Sequence, residues 1–216
     1  MSILITICAR GGSKGIPGKN IRELAGKPLI EYSVDIAKKF ADKYKGVIGV
    51  STDSNEIKSV VRDMGLNVEY QRPSILASDT AGKVDAIRDM LLYEENSCGT
   101  KFEYILDLDV TSPLRTMEDL ELAFADFRMN NLALTLFSVN NAARNPYFNM
   151  VERQPNGFYN LIKTVDRATL TRQSAPQVFD LNASFYFYRR EFFESAAKGV
   201  ITDRSMIFNM KHICFD

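Results

Sequence analysis

Short unbroken apolar runs alternate along this chain with longer stretches whose apolar residues recur at helical spacing. Ile3 to Ala9 (I-L-I-T-I-C-A) is continuous, β-branched and short, which predicts a strand buried on both faces of a parallel sheet. A basic loop follows from Arg10 to Asn20. Pro28 then opens a helix in which Leu29, Ile30, Val34, Ala37, Phe40, Ala41 and Tyr44 share one face, and Gly46 ends it. Gly46 to Ser51 reads as a second buried strand, and Asp53 with Glu56 as the cap of a helix that stops at Gly65. Further strands are predicted at Val68 to Tyr70, Tyr104 to Leu108 and Leu132 to Val139. Helices are predicted from Ala81 to Tyr93 and from Thr116, paired with Asp119, to about Met129.

Strands alternating with helices in this way predict an α/β fold with a doubly wound, mostly parallel sheet and a ligand at the carboxyl ends of the strands. The pattern changes after Asn140. From there to Leu181 the chain is polar and loop-rich, and the turn at Gly157 is expected to join a short hairpin between Met150 and Thr164. We expect a protruding lid or dimerisation insert over about residues 140–181, within a single domain spanning 1–216. Ser184 to Tyr188 reads as another strand, Glu191 to Ala197 as a short helix, and Ser205 as the start of a last strand reaching Asp216. His212 reads as an ordinary strand residue without a partner.

Composition narrows the chemistry. With 216 residues, 45% hydrophobic and 25% charged, the chain is long enough for a core that needs no staple. Its 27 basic and 27 acidic residues cancel, which removes the general positive field that draws nucleic acid or anionic membranes. Neither is expected as a partner. Cys8, Cys98 and Cys214 are odd in number and irregularly spaced, which reads as reduced thiols in a cytoplasmic protein. No apolar run approaches the ~18 residues of a membrane span, and no leader pattern precedes Ile3.

Any anion must therefore meet a local cluster, and the segment Ala9 to Asn20 supplies one. It holds four glycines and three cations, Arg10, Lys14 and Lys19, in twelve residues. Glycines let backbone N–H groups converge on an anion while the cations add charge, so a polyphosphate is the natural guest. The glycine spacing fits neither the dinucleotide fingerprint nor the P-loop. Gly11-x-Ser13-x-Gly15 does match a nucleophile elbow, leaving a serine hydrolase using Ser13 as an alternative, although Pro17 and Gly18 interrupt the helix an elbow requires. Asp107 and Asp109, two apart on a strand, point to one face, where the pair suits magnesium, while Asp107 also reads as a structural residue.

These residues resemble a known family. Ile7 to Asn20 with Ala25-Gly26-Lys27-Pro28-Leu29-Ile30 is similar to the start of the N-acylneuraminate cytidylyltransferases, the CMP-sialic acid synthetases. The resemblance continues through Ser51-Thr52-Asp53, Arg72-Pro73, Ala77 to Thr80, Thr111-Ser112-Pro113-Leu114-Arg115, Thr171-Arg172-Gln173 and Asn182-Ala183. Ile7-Cys8-Ala9-Arg10, Leu106 to Asp109, Arg144 to Phe148 and Asn182 to Ser184 look more like the CMP-legionaminic acid synthases within that family. The resemblance implies a Rossmann-like nucleotidyltransferase, acting as a homodimer, that joins CTP to a nine-carbon sugar acid with magnesium and releases pyrophosphate.

By the same resemblance Arg10 and Lys19 carry catalysis and Ser13 helps to hold the triphosphate. Asn20, Arg72 and Lys83 bind the nucleotide, and Asp109, Arg172, Gln173, Asn182 and Tyr186 bind the sugar. Phe192 and Phe193 suit an N-acetyl pocket, a dimer contact or the core, and Arg115 either pairs with a carboxylate or caps its loop. The family carries Asp-x-Asp after its last strand as magnesium ligands, whereas this sequence stops at Asp216, the first of the two. The expectation is a truncated chain, with a CTP-binding pseudoenzyme as the other reading.

Overall fold

Strand β1 (Ile3–Cys8) is the axis of the fold, because both of its edges and both of its faces are covered. The computed structural model describes residues 2–12, 15–164, 172–212 and 214, with the side chain of Arg172 excepted. In chain order β1 is followed by a two-residue ribbon, β2 (Glu23–Leu24) with β3 (Lys27–Pro28), then α1 (Leu29–Tyr44), β4 (Val47–Ser51) and α2 (Asn55–Asp63). Next come α3 (Lys83–Cys98), β5 (Tyr104–Leu108), α4 (Met117–Met129) and β6 (Thr135–Asn141). A hairpin of β7 (Val151–Arg153) and β8 (Tyr159–Leu161) precedes β9 (Phe179–Arg189) and β10 (Ser205–Asn209).

The main sheet has the order β10-β6-β9-β5-β1-β4. β4 and β5 run parallel to β1, and β10 runs parallel to β6, while β9 is antiparallel to both of its neighbours. This is the doubly wound, mostly parallel α/β sheet that the alternation predicts.

The period of two divides the strands between two cores. Ile3, Ile5 and Ile7 of β1, Leu106 and Leu108 of β5, and Phe185 and Phe187 of β9 pack with α1, α2 and α4. Leu4, Ile105 and Tyr188 point the other way and pack with Val84, Ile87 and Leu91 of α3. Phe192 and Phe193 join this second core at 0% and 8% exposure, so of the three readings open to them the core is the one realised. Alternation along each strand thus assigns Thr6, Asp107 and Tyr186 to the α3 face, because each lies two positions from a residue packed there.

Several local expectations need correction. The α2 cap is Ser54, whose hydroxyl accepts from Ile57 N–H; Asp53 instead accepts from Gly11 N–H at 2.8 Å. Val68 and Tyr70 are buried but form no strand, because Arg62 and Lys58 of α2 donate to the carbonyls of Val68 and Glu69. Residues 190–194 form a 3-10 turn rather than a longer helix, and the last strand stops at Asn209. His212 has a partner, with its Nε2 2.9 Å from Asp119 Oδ2. Among the described residues no helix is long and apolar enough to cross a membrane. The cysteines form no disulfide.

Candidate active site

Strands β4, β1 and β5 end side by side, and the chain leaves β1 with Ala9 and Arg10. In an open α/β sheet this is where neighbouring connections depart in opposite directions and leave a crevice. A cleft of about 690 Å³ opens there, lined among others by Cys8, Arg10, Lys19, Asn20, Arg72, Lys83 and Asp109. Six residues expected from sequence to act on ligand therefore meet in one cavity: Arg10, Lys19, Asn20, Arg72, Lys83 and Asp109.

The chain holds each of them by a local device. Gly11 lies so close to α2 that an added Cβ would stand 2.9 Å from Ser54 Cβ, which explains a glycine where the loop turns past the Ser54 cap. Gly18 has φ 64, a left-handed conformation that favours glycine, and it starts the 3-10 turn Lys19–Ile21. That turn buries Asn20, whose Nδ2 donates to the Arg10 carbonyl at 2.9 Å. Arg10 itself is exposed and donates to Asp79 Oδ1 at 3.0 Å. Lys19 makes no side-chain hydrogen bond or ion pair among the described residues, so its charge is free to face an anion.

Arg72 is 6% exposed and grips the end of β4, its Nε donating to Ser51 Oγ at 2.9 Å and its Nη2 to the Ser51 carbonyl at 2.7 Å. It is a fixed buried cation, not a surface charge. The nucleophile-elbow alternative is not met, because β1 leads into turns and a ribbon and the first α-helix begins only at Leu29.

The β5 side of the cleft carries an ionic cluster that the sequence showed only in part. Lys83, the first residue of α3, places Nζ 2.8 Å from Asp107 Oδ2 and 2.7 Å from Asp109 Oδ2. Thr6 Oγ1 donates to Asp107 Oδ1 at 2.7 Å, and the Tyr186 ring lies 5.3 Å from the ammonium. The Asp107 contact with Lys83 is a close charge contact lacking hydrogen-bond alignment, so Oδ2 is left without an aligned donor.

Burial opposes both charges in this pair. The two carboxylates outweigh it at Lys83 and raise its pKa well above the ordinary lysine value. At Asp109 the ammonium and the Thr111 N–H and hydroxyl outweigh it and hold the carboxyl at about 2. Burial, reinforced by Asp107, pushes the Cys8 thiol up to about 12, so it stays neutral.

Two other expected residues lie elsewhere. Asn182 does not line the cleft. Its Oδ1 accepts from Ser138 Oγ and Ser184 N–H and its Nδ2 donates to Asn140 Oδ1, so the amide is consumed in holding the irregular register between β6 and β9. Ala183 beside it takes φ 53. Gln173 lines a separate hollow of about 350 Å³ with Asn141, Asn145 and Pro176. Ser13, the Arg172 side chain and Asp216 lie outside the described residues.

Arg115 caps its loop. It donates to Ser33 Oγ at 2.9 Å, to Ser184 Oγ at 3.2 Å and to the Asp109 carbonyl. Among the described residues no carboxylate makes an ion pair with it, and burial, only partly opposed by Asp109 and Asp107, lowers its pKa to about 10. Thr111 on the Asp109 carboxylate, Ser112 on the Asn182 carbonyl and Arg115 on the Asp109 carbonyl make Thr111 to Arg115 a clamp that sets the place of Asp109.

A model of the family described as Cytidylyltransferase matches residues 4–212. The chain belongs to the cytidylyltransferase family. It is 42% identical over 190 residues to the CMP-N,N'-diacetyllegionaminic acid synthase of Campylobacter jejuni, covering 88% of this chain and 78% of that one. It is 41% identical over the same length, with the same coverage, to the post-translational flagellin modification protein B of Campylobacter coli. Over 116 residues, 53% of this chain and 26% of the other, it is 40% identical to the N-acylneuraminate cytidylyltransferase of Streptococcus agalactiae. Among solved structures, a CMP:2-keto-3-deoxy-manno-octonic acid synthetase complexed with CTP superposes with a TM-score of 0.63 at 18% identity, over 90% of this cytidylyltransferase and 76% of that chain. That likeness carries the fold.

Proposed function

We propose that this cytidylyltransferase transfers CMP from CTP to the anomeric hydroxyl of a nonulosonic acid, and that the acceptor is a diacetamido, legionaminic acid-like sugar. The observation that carries the reading is the convergence of Arg10, Lys19, Asn20 and Arg72 on one cleft at the carboxyl end of β1. The sugar preference is supported by the likeness over 88% of the chain to a CMP-N,N'-diacetyllegionaminic acid synthase. On this reading the anomeric oxygen attacks the α-phosphorus in line, an O–P bond forms, the bond to the β-phosphate oxygen breaks, and pyrophosphate leaves. Phosphoryl-type transfer depends mainly on positioning and charge neutralisation. Arg10 and Lys19 neutralise the phosphates, while Asn20 and Arg72 hold the nucleotide at the β4 side.

Cytidylyltransferases of this kind generally use a divalent metal, and we take magnesium as the ion. Among the described residues no group of three or more His, Cys, Asp or Glu is placed to hold one. The Asp107 and Asp109 pair does not fit it, because the Lys83 ammonium already stands between those carboxylates. Asp216 remains the proposed ligand from sequence.

A homodimer joined through the insert is part of the same proposal. It is supported by the exposed apolar side chains of the hairpin, Val151 at 60%, Phe158 at 73% and Tyr159 at 63%.

Incubation with CTP, magnesium and a panel of nonulosonic acids tests the reading through pyrophosphate release. Release is expected with N,N'-diacetyllegionaminic acid in preference to N-acetylneuraminic acid, and Lys19→Ala is expected to lower it by about a hundredfold or more. Tight CTP binding with no release for any sugar would favour the pseudoenzyme.

A further inference from the structure

The Lys83 cluster has an arrangement that substrate contact alone does not require. Two carboxylate oxygens, Asp107 Oδ2 and Asp109 Oδ2, aim at one point at the carboxyl end of β5, and Lys83 Nζ occupies that point at 2.8 and 2.7 Å. Asp107 is fully buried, and its other oxygen is held by Thr6. Asp109 Oδ1 takes the Thr111 N–H and hydroxyl at 2.9 and 2.8 Å. Each carboxylate therefore has one oxygen held by protein, Asp107 from the neighbouring strand β1 and Asp109 from its own loop, and one turned to the shared position. Two convergent carboxylates of this kind suit a hard divalent cation. An ammonium fills the same place here, supplied by α3 from 24 residues upstream of Asp107.

An ammonium has three N–H groups. One donates to Asp109 Oδ2, the ammonium meets Asp107 Oδ2 as a close charge contact without aligned donation, and among the described residues no other oxygen or nitrogen acceptor meets it. Lys83 also lines the cleft and its side chain is 35% exposed. The third donor is accordingly available to a ligand.

We propose that Lys83 is a permanent cation supplied by the protein itself, standing where Asp107 and Asp109 would otherwise gather a divalent ion, and that it offers its remaining N–H to an oxygen of the bound substrate. Asp107, which has no surface in the cleft, is on this account a positioning residue acting through Lys83. Lys83 and Asp109 then read one region of the ligand together instead of separate nucleotide and sugar regions. The substrate contact rests on the transferase reading given above. The cation assignment does not, because it concerns the free protein.

Manganese titration of the free full chain, followed by the paramagnetic signal of the bound ion, tests the cation assignment without any substrate. Asp107→Asn is expected to leave the manganese isotherm of the native protein unchanged. Lys83→Met is expected to add one site per chain, and Lys83→Met combined with Asp107→Asn to remove it again. Loss of native manganese binding in Asp107→Asn would overturn the proposal, as would a Lys83→Met variant that is folded by its melting curve and gains no site.

The substrate contact is read in steady-state kinetics. Lys83→Met is expected to raise KM for one substrate by about tenfold to a hundredfold, the size of a lost charge-assisted hydrogen bond, with the double variant no worse than the single. Unchanged KM for both substrates, in a variant that still releases pyrophosphate, would refute the contact while leaving the transferase reading intact.

Discussion

Asp109 shows how much one side chain is made by its surroundings. Its carboxyl is held from 3.8 down to about 2 by Lys83 and Thr111 against the cost of burial, which corresponds to roughly 2 kcal/mol of stability. The sign follows from a native value below the unfolded one. The contribution is complete above about pH 4 and is lost as the pH falls through about 2. Urea unfolding of wild type and Asp109→Asn across pH 2 to 5 checks this. The wild type should lose about 2 kcal/mol more than the variant over that window, and parallel curves would count against the ion pair. The sequence reveals half of this site. A spacing of two puts Asp107 and Asp109 on one face, but the cation between them comes from the start of another element. No local pattern joins residues 83 and 109, and only the packing of α3 on the Leu4, Ile105 and Tyr188 face brings them together.

Elements whose signals are local follow the sequence closely. Tyr104–Leu108 is a strand as predicted, and Thr116 with Asp119 forms a full capping box at the head of α4. Thr116 Oγ1 accepts from Asp119 N–H at 3.2 Å while Asp119 Oδ2 accepts from Thr116 N–H at 2.8 Å. Thr116→Ala should therefore cost about 1 kcal/mol, measurable as a lower denaturant midpoint at unchanged slope. Asp119→Ala should cost more, because Asp119 also meets His212 and ties the C-terminal segment to α4. Elements whose existence depends on a partner are less legible. Val68 and Tyr70 carry a strand-like apolar signal that reflects burial, with Tyr70 against Asp89 and Tyr93 of α3, yet side chains of α2 take the carbonyls a ladder would need. Ser184 to Tyr188 is recognisable as a strand, whereas its extension back to Phe179 rests on pairing with β6 and on the Asn182 network. That network also accounts for the Asn182 amide without a ligand: a buried amide that closes an irregular register and one that reads a sugar look alike in sequence.

At the scale of the whole molecule the charge balance gains a spatial meaning. A chain with 27 charges of each sign keeps Arg10, Lys19, Arg72 and Lys83 around one cleft, so a polyanion is met locally without a basic surface. The hairpin projects the opposite chemistry, with Val151, Phe158 and Tyr159 turned to solvent. If it joins two copies, Phe158→Asp should shift sedimentation from dimer to monomer at micromolar concentration while leaving the far-ultraviolet spectrum unchanged. A wild type that sediments as a monomer would reject the dimer.

The antiparallel strand β9 also has a consequence for how the protein is made. One edge of β5 belongs to β1, which precedes it in the chain, but its other edge belongs to β9, which begins about seventy residues later. At a synthesis rate of ~5–20 residues per second the ribosome needs roughly 4–14 s to deliver it. Until then the strand that carries Asp107 has no partner for that edge. Tyr186, whose ring lies 5.3 Å from the Lys83 ammonium, also arrives on β9. The pairing of β5 and the surroundings of Lys83 thus both wait on a single strand, set by its position in the sequence.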